Sequence, residues 1–270
     1  MAMATDTTAT HTKKKNSLID LHCHILPELD DGSKSIEESL KLAHEAVADG
    51  IGYILATPHH LDRHYINHAR DVQIAVDEFQ GVLDEQQIPL TIFPGQEVHL
   101  NGDLAERLDD LLGIDSAMNY LLVEFPHEQV PEYATDLFFQ LSLQGITPVI
   151  AHPERNAQIQ KQPELLYQFI ADGALGQLTS TSLIGTFGKK VQRFSEELIE
   201  NGMVHVLSSD AHALPNREFK LREAFQALDR LDRSYGPQFY ENAKHLLNGE
   251  PIEHRIELMP IEKKRFLFKS

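Results

Sequence analysis

A chain of 270 residues, 41% of them hydrophobic, can bury a substantial core as one large α/β unit or two smaller ones. Its formal net charge of −17 argues against nucleic acid or an anionic membrane surface as the main partner, because both call for a basic face. The single cysteine, Cys23, excludes an intramolecular disulfide, and no apolar run approaches the roughly 20 residues of a membrane-spanning helix.

In chain order, Met1 to Asn16 is polar, rich in Thr and Lys, and without the apolar core of a secretion signal. It reads as a disordered tail on a cytoplasmic protein. Residues 17–250 read as one folded domain and 251–270 as a C-terminal extension, whose basic end, Lys263–Lys269, is given no role. Within the domain, seven short β-rich runs recur: Leu18–His22, Tyr53–Thr57, Thr91–Phe93 running on to Val98, Tyr120–Phe125, Thr147–Ala151, Ala174–Thr179 and Val204–Ser208. Several are almost continuously apolar, which suits strands covered on both faces. Helical spacing fills the intervals. Ser35–Asp49 places Ile36, Leu40, Ala43 and Val47 on one side and stops at Gly50. Asp71–Glu85, Pro131–Gln144, Pro163–Asp172, Lys189–Asn201 and Glu218–Leu231 follow suit. Strand alternating with helix implies a parallel sheet. Seven such units without a long linker favour a single-domain, distorted (β/α)₇ TIM-like barrel, with an open doubly wound sheet as the alternative. No Gly-rich phosphate loop follows the first strand, which weakens a nucleotide-binding reading.

Metal-competent residues stand at the carboxyl ends of all but the sixth run. They are His22, His24 and Asp31, then His59, Glu97, Glu124 and His152, and finally Asp210 and His212. In a barrel these ends converge on one face. A lone histidine is most often a strand cap, but nine such residues at six strand ends are not explained that way. Residues i and i+2 of a strand share a face, so His22 and His24 can reach one ion while Cys23 points away. Nine donors exceed the needs of one ion and fit two or three. Imidazole and carboxylate without thiolate suit Mn²⁺, Fe or Zn²⁺ better than Ca²⁺, and the donor types alone do not choose among the three. Three such ions outweigh the four carboxylates and make an anion site in an acidic chain. Arg155 and Arg217 add guanidinium groups suited to phosphate, although either alone could be a surface ion-pair partner. His60, His64 and His68, spaced by four, are read as a solvated or substrate-facing loop outside the metal set, with Tyr65 at the pocket mouth. His99, His127 and His205 are read as structural.

With those residues in view the sequence resembles the PHP (polymerase and histidinol phosphatase) superfamily, and within it the bacterial tyrosine-protein phosphatases that regulate capsule and exopolysaccharide synthesis. The motifs are Asp-Leu-His-Cys-His-Ile-Leu-Pro (20–27), Asp-Asp-Gly (30–32), Ala-Thr-Pro-His-His (56–60), Gly-Gln-Glu-Val (95–98), Leu-Val-Glu-Phe (122–125), Ile-Ala-His-Pro-Glu-Arg (150–155) and Ser-Ser-Asp-Ala-His (208–212). The resemblance implies a three-metal site on the nine residues above and phosphate-binding roles for Arg155 and Arg217. It also implies hydrolysis of phosphotyrosine by metal-activated water, and a cytoplasmic tyrosine kinase as partner. A histidinol-phosphate phosphatase, or a catalytically silent metal- or kinase-binding module, are the alternatives. A deaminase or amidohydrolase is disfavoured by the arginine pair and by the absence of an obvious carbamylated lysine at a strand end.

Overall fold

The structure, a computed structural model, describes residues 17–252 and 256–261. The predicted N-terminal tail and the basic end lie outside the described residues. Among the described residues nine strands appear, all paired in parallel: β1 (Leu18–Cys23), β2 (Ile51–Ala56), β3 (His59–His60), β4 (Thr91–Pro94), β5 (Glu97–His99), β6 (Tyr120–Glu124), β7 (Thr147–Ala151), β8 (Leu175–Thr179) and β9 (Val206–Ser208). They form two sheets, ordered β1-β2-β4 and β3-β5-β6-β7-β8-β9.

Of the two additional strands, β3 lies just beyond the second predicted run, past Pro58, which has no N–H to give a ladder. The third predicted run divides at Gly95 and Gln96 into β4 and β5. Pairing carries across both breaks, with Gly95 N donating to Ala56 O at 2.9 Å and Glu97 N to Pro58 O at 3.2 Å. At the other end of the strand order, Asp210 N donates to His22 O at 2.8 Å and His24 N to Ala211 O at 3.0 Å. A Cys23–Ala211 bridge thus joins the end of β1 to the segment leaving β9.

The helices cover the strands. α1 (Ile36–Asp49) starts at Ser35, whose hydroxyl accepts from Glu38 N, and stops at Gly50 in the left-handed conformation. α2 (Ala69–Glu85), α3 (Ala134–Leu143), α4 (Glu164–Ala171), the single turn α5 (Ser180–Leu183), α6 (Lys189–Glu200) and α7 (Leu221–Leu231) follow. The last helix, α8 (Tyr235–Asn248), was not anticipated; its Pro237 lies in the first turn, where proline is tolerated. Residues 256–261, placed in the predicted extension, pack back on the body: Ile256, Leu258 and Ile261 lie against the main core, and Met259 N donates to Asn201 O at 3.1 Å.

Two apolar clusters result. Leu21, Leu55, Leu122, Val149, Leu175 and Val206, drawn from both sheets, gather in the smaller one, joined by Ala243 and Leu246 of α8. The larger lies between strands and helices and includes Cys23, Ile54, Leu121, Ile150, Leu178 and Leu207. β1 changes cluster along its length, from Ile19 and Leu21 in the smaller to Cys23 in the larger. Its pairing with β2 shows why: Asp20 to Cys23 is three steps of chain opposite the two of Ile54 to Ala56. This bulge re-aims the strand end, a common device beside functional sites.

Candidate metal centre

All nine of the predicted donor residues meet beyond the carboxyl ends of the strands. Their donor atoms form four overlapping groups, each with every atom within 4.8 Å of the others: His24, Asp31, His59 and His212; His22, Glu97 and His152; His22, His24 and Asp210; and His59, Glu97 and Glu124. Glu97 is central. Its Oε2 lies 3.2 Å from His22 Nε2, 3.3 Å from His24 Nε2 and 3.0 Å from His59 Nδ1, and its Oε1 lies 2.8 Å from His152 Nε2. Asp210 Oδ1 stands 3.5 and 3.4 Å from His22 and His24 Nε2. Asp31 Oδ1 stands 3.5 Å from His59 Nε2 and 3.3 Å from His212 Nε2. Most of these side chains are buried, and only Asp31 is substantially open to solvent.

The local backbone is arranged around these contacts. His152 (φ 33°) and Asp210 (φ 52°) adopt left-handed conformations uncommon for side chains other than glycine, a form of strain that gathers at functional sites. Buried Asp20 holds the turn before Asp210, accepting from Ser209 N at 2.9 Å and Ser209 Oγ at 2.5 Å. The Asp-Asp-Gly motif has an equally physical meaning. Asp30 Oδ2 bonds His24 Nδ1 at 2.6 Å, Asp31 faces His59 and His212, and a β-carbon on Gly32 would collide with the backbone of His24.

Sequence reasoning missed the supports. Gln177, on the run with no candidate donor, accepts from His22 Nδ1 at 3.0 Å and from His152 N at 3.3 Å. A side-chain amide is not among the donor types sought for such ions, and nothing in an apolar strand marks it. Asp20 and Asp30 flank the recognised donors and could have been suspected on that ground. His99, read as structural, has Nδ1 3.6 Å from Glu124 Oε2, and His127 packs 6.3 Å from the His152 ring. His205 is structural: its Nδ1 accepts from Gly176 N. The predicted loop of His60, His64 and His68 needs correction. His60 lies buried in β3, facing away from the centre toward Asp110 and His68, because strand alternation that turns His59 inward turns its neighbour out. His68 bonds Asp110 at 2.6 Å, and only His64 and His68 are exposed. Tyr65 stacks almost parallel on His59, 6.1 Å between centroids.

The electrostatics suit cations. Burial alone would push Glu97 up, yet His22 and His59 hold it well below the usual carboxylate range. Asp210 is likewise raised by burial and pulled well below normal by Arg155 and His22. Burial opposes protonation of His59, but Glu97 raises it to about 9. Burial and the neighbouring His24 lower His212 to about 4. Arg155 and Arg217 both reach Asp210, at 2.5 and 2.7 Å. Five imidazoles and four carboxylates without thiolate form a donor set for hard or borderline divalent ions. Asp31 Oδ1, His59 Nδ1 and Glu97 Oε2 are enclosed with no hydrogen-bond partner. His22 and His24 turn their Nε2 atoms on each other at 3.2 Å. The residues present fit divalent metal ions.

A family model for capsular polysaccharide synthesis proteins, CpsB/CapC, matches residues 18–248. The chain belongs to the CpsB/CapC family. Among similar CpsB/CapC-type proteins is tyrosine-protein phosphatase YwqE of Bacillus subtilis, 42% identical over 253 residues, covering 92% of this chain and 98% of that one. Tyrosine-protein phosphatase CpsB of Streptococcus agalactiae serotype III is 30% identical over 250 residues, 87% of this chain and all of that one. A crystal structure from a study of YwqE and of CpsB from Streptococcus pneumoniae, described as unique metal-dependent tyrosine phosphatases, superposes with a TM-score of 0.87 at 41% identity. It covers 91% of this chain and 100% of that one.

Proposed function

We propose that the chain is a metal-dependent protein-tyrosine phosphatase that hydrolyses phosphotyrosine with water as nucleophile. The observation that carries this reading is the convergence of His22, His24, Asp31, His59, Glu97, Glu124, His152, Asp210 and His212 into one enclosed donor cluster beside two arginines. These nine would hold two or three divalent ions, with Mn²⁺ the leading choice and Fe or Zn²⁺ next. Divalent ions bound there supply Lewis acidity, neutralising phosphoryl charge and acidifying water. Arg155 and Arg217, on the accessible side of Asp210, would bind and orient the phosphoryl oxygens. Phenol is a fair leaving group, with a pKa of about 10, so little acid assistance is required.

Cys23 has no part in this chemistry. It is fully buried in the larger apolar cluster, its Sγ 3.9 Å from Ala211 O, and burial together with Asp20 and Asp210 pushes its thiol well above the ordinary range. A buried, protonated thiol is a poor nucleophile.

The names of the relatives and of the family support a phosphotyrosine substrate and a place in capsular polysaccharide synthesis, and we propose a bacterial tyrosine kinase of capsule or exopolysaccharide synthesis as the bearer of that phosphotyrosine. We place the chain's encounter with such a kinase in the cytoplasm; among the described residues no helix is long and apolar enough to cross a membrane. We take residues 17–250 as one phosphatase unit and read its strands as a distorted seven-stranded barrel, a reading supported by the Cys23–Ala211 bridge. The test is turnover of a phosphotyrosine peptide and of histidinol phosphate by protein stripped with EDTA and reloaded with Mn²⁺. Peptide turnover that vanishes on stripping, returns with Mn²⁺ and persists in Cys23→Ala is expected. Preference for histidinol phosphate, or loss of activity in Cys23→Ala with metal still bound, overturns the reading.

A further inference from the structure

Lys189, Lys190 and Arg193 lie exposed on the first two turns of α6. None forms an ion pair among the described residues, although acidic residues far outnumber basic ones in the chain. Folding does not account for them there. Cations near the start of a helix oppose its dipole, and no carboxylate occupies the first turn to offset them.

Their position ties them to the mouth of the metal centre. Lys190 Nζ donates to Gln160 Oε1 at 2.9 Å, and Gln160 Nε2 donates to the carbonyl of Glu154, the residue before Arg155. Phe187, two residues ahead of α6, lies against the Arg155 guanidinium, 5.7 Å from ring centroid to Cζ. Between α6 and the 156–160 loop runs a groove of about 340 Å³, lined by Gln160, Lys190, Arg193, Phe194 and Glu197. Gln160, which lines this groove, is the residue bonded to the Glu154 carbonyl, so the groove lies beside the segment that carries Arg155.

We infer that Lys189, Lys190 and Arg193 form a docking surface for acidic residues flanking the phosphotyrosine of a peptide substrate. The inference rests on the phosphatase reading above. Elsewhere the acidic protein repels such a segment, so a local cluster of unpaired cations sets both its approach and its register.

The experiment compares wild type with the triple variant Lys189→Gln, Lys190→Gln, Arg193→Gln, both Mn²⁺-loaded. Substrates are a phosphotyrosine peptide with Asp and Glu flanks, one with Lys flanks, and p-nitrophenyl phosphate. Wild type should prefer the acidic peptide. The variant should lose about tenfold in kcat/KM on it, as three exposed charge pairs of modest strength would give. That loss should disappear near about 1 M salt, where the Debye length is about 3 Å. Turnover of p-nitrophenyl phosphate should stay unchanged. An unaltered rate on the acidic peptide, or an equal loss on p-nitrophenyl phosphate, overturns the inference. Wild type that turns over neither peptide overturns the phosphatase reading itself, whereas normal wild-type turnover with an indifferent variant overturns only the docking surface.

Discussion

At His22 the ring proton has one evident destination. Nδ1 lies 3.0 Å from Gln177 Oε1, so a proton placed there leaves Nε2 free toward Glu97, Asp210 and His24. His24 repeats the arrangement with Asp30 at 2.6 Å. Partners of this kind fix the tautomer and ring orientation of ligating histidines, and their loss typically weakens metal affinity by about 10- to 100-fold. Gln177→Leu should therefore weaken Mn²⁺ binding by about that factor, measured by calorimetric titration of metal-free protein, while Gln177→Glu, which keeps the acceptor, retains more of it. Equal affinity in wild type and Gln177→Leu would show that the amide only fills space. The donors themselves were legible because a histidine or carboxylate at a strand end is chemically conspicuous. Gln177 was not, since its role exists only through a partner 155 positions away.

The Asp-Asp-Gly turn and the end of β1 work as one element. The bulge between Asp20 and Cys23 turns the strand end so that His22 and His24 both face the cluster, and the turn then folds back until Gly32 touches His24. Gly32→Ala has no room: the new methyl must displace the His24 backbone. Overpacking of this kind costs about 1–3 kcal/mol, and here it also separates Asp31 from His59 and His212. The expected result is a lowered thermal midpoint together with weakened metal binding; a variant with wild-type values for both would mean that the turn relaxes freely. Strand and helix positions were readable from apolar runs and turn residues. The bulge, the short strand β3 and the splitting of the third run were not, because all depend on pairing register with a neighbouring strand. His60 shows the same limit: with His64 and His68 it reads as part of a solvated or substrate-facing loop, but strand pairing with β5 decides its direction.

Across the whole molecule, the cluster joins what the backbone leaves separate. His22 and His24 sit at the end of the three-stranded sheet, whereas His59, Glu97, Glu124 and His152 belong to, or directly follow, strands of the six-stranded sheet. Apart from the continuations at Gly95 and Glu97 and the links from His22 and His24 to Asp210 and Ala211, it is side chains that hold these two edges together at that face. Four carboxylates brought this close repel one another unless cations lie between them. Ions bound only by the folded protein stabilise it by mass action, about 2.7 kcal/mol at a free concentration 100 times the Kd. At about 2–4 °C per kcal/mol for a domain of this size, Mn²⁺ should raise the thermal midpoint of EDTA-stripped protein by about 5–10 °C. His24→Ala removes a donor shared by two of the four groups and should abolish most of that rise while leaving the stripped protein folded. Calorimetric scans with and without Mn²⁺ measure both quantities. A midpoint indifferent to Mn²⁺ in wild type would mean that the nine side chains do not form a metal centre, and it would do so without reference to any substrate.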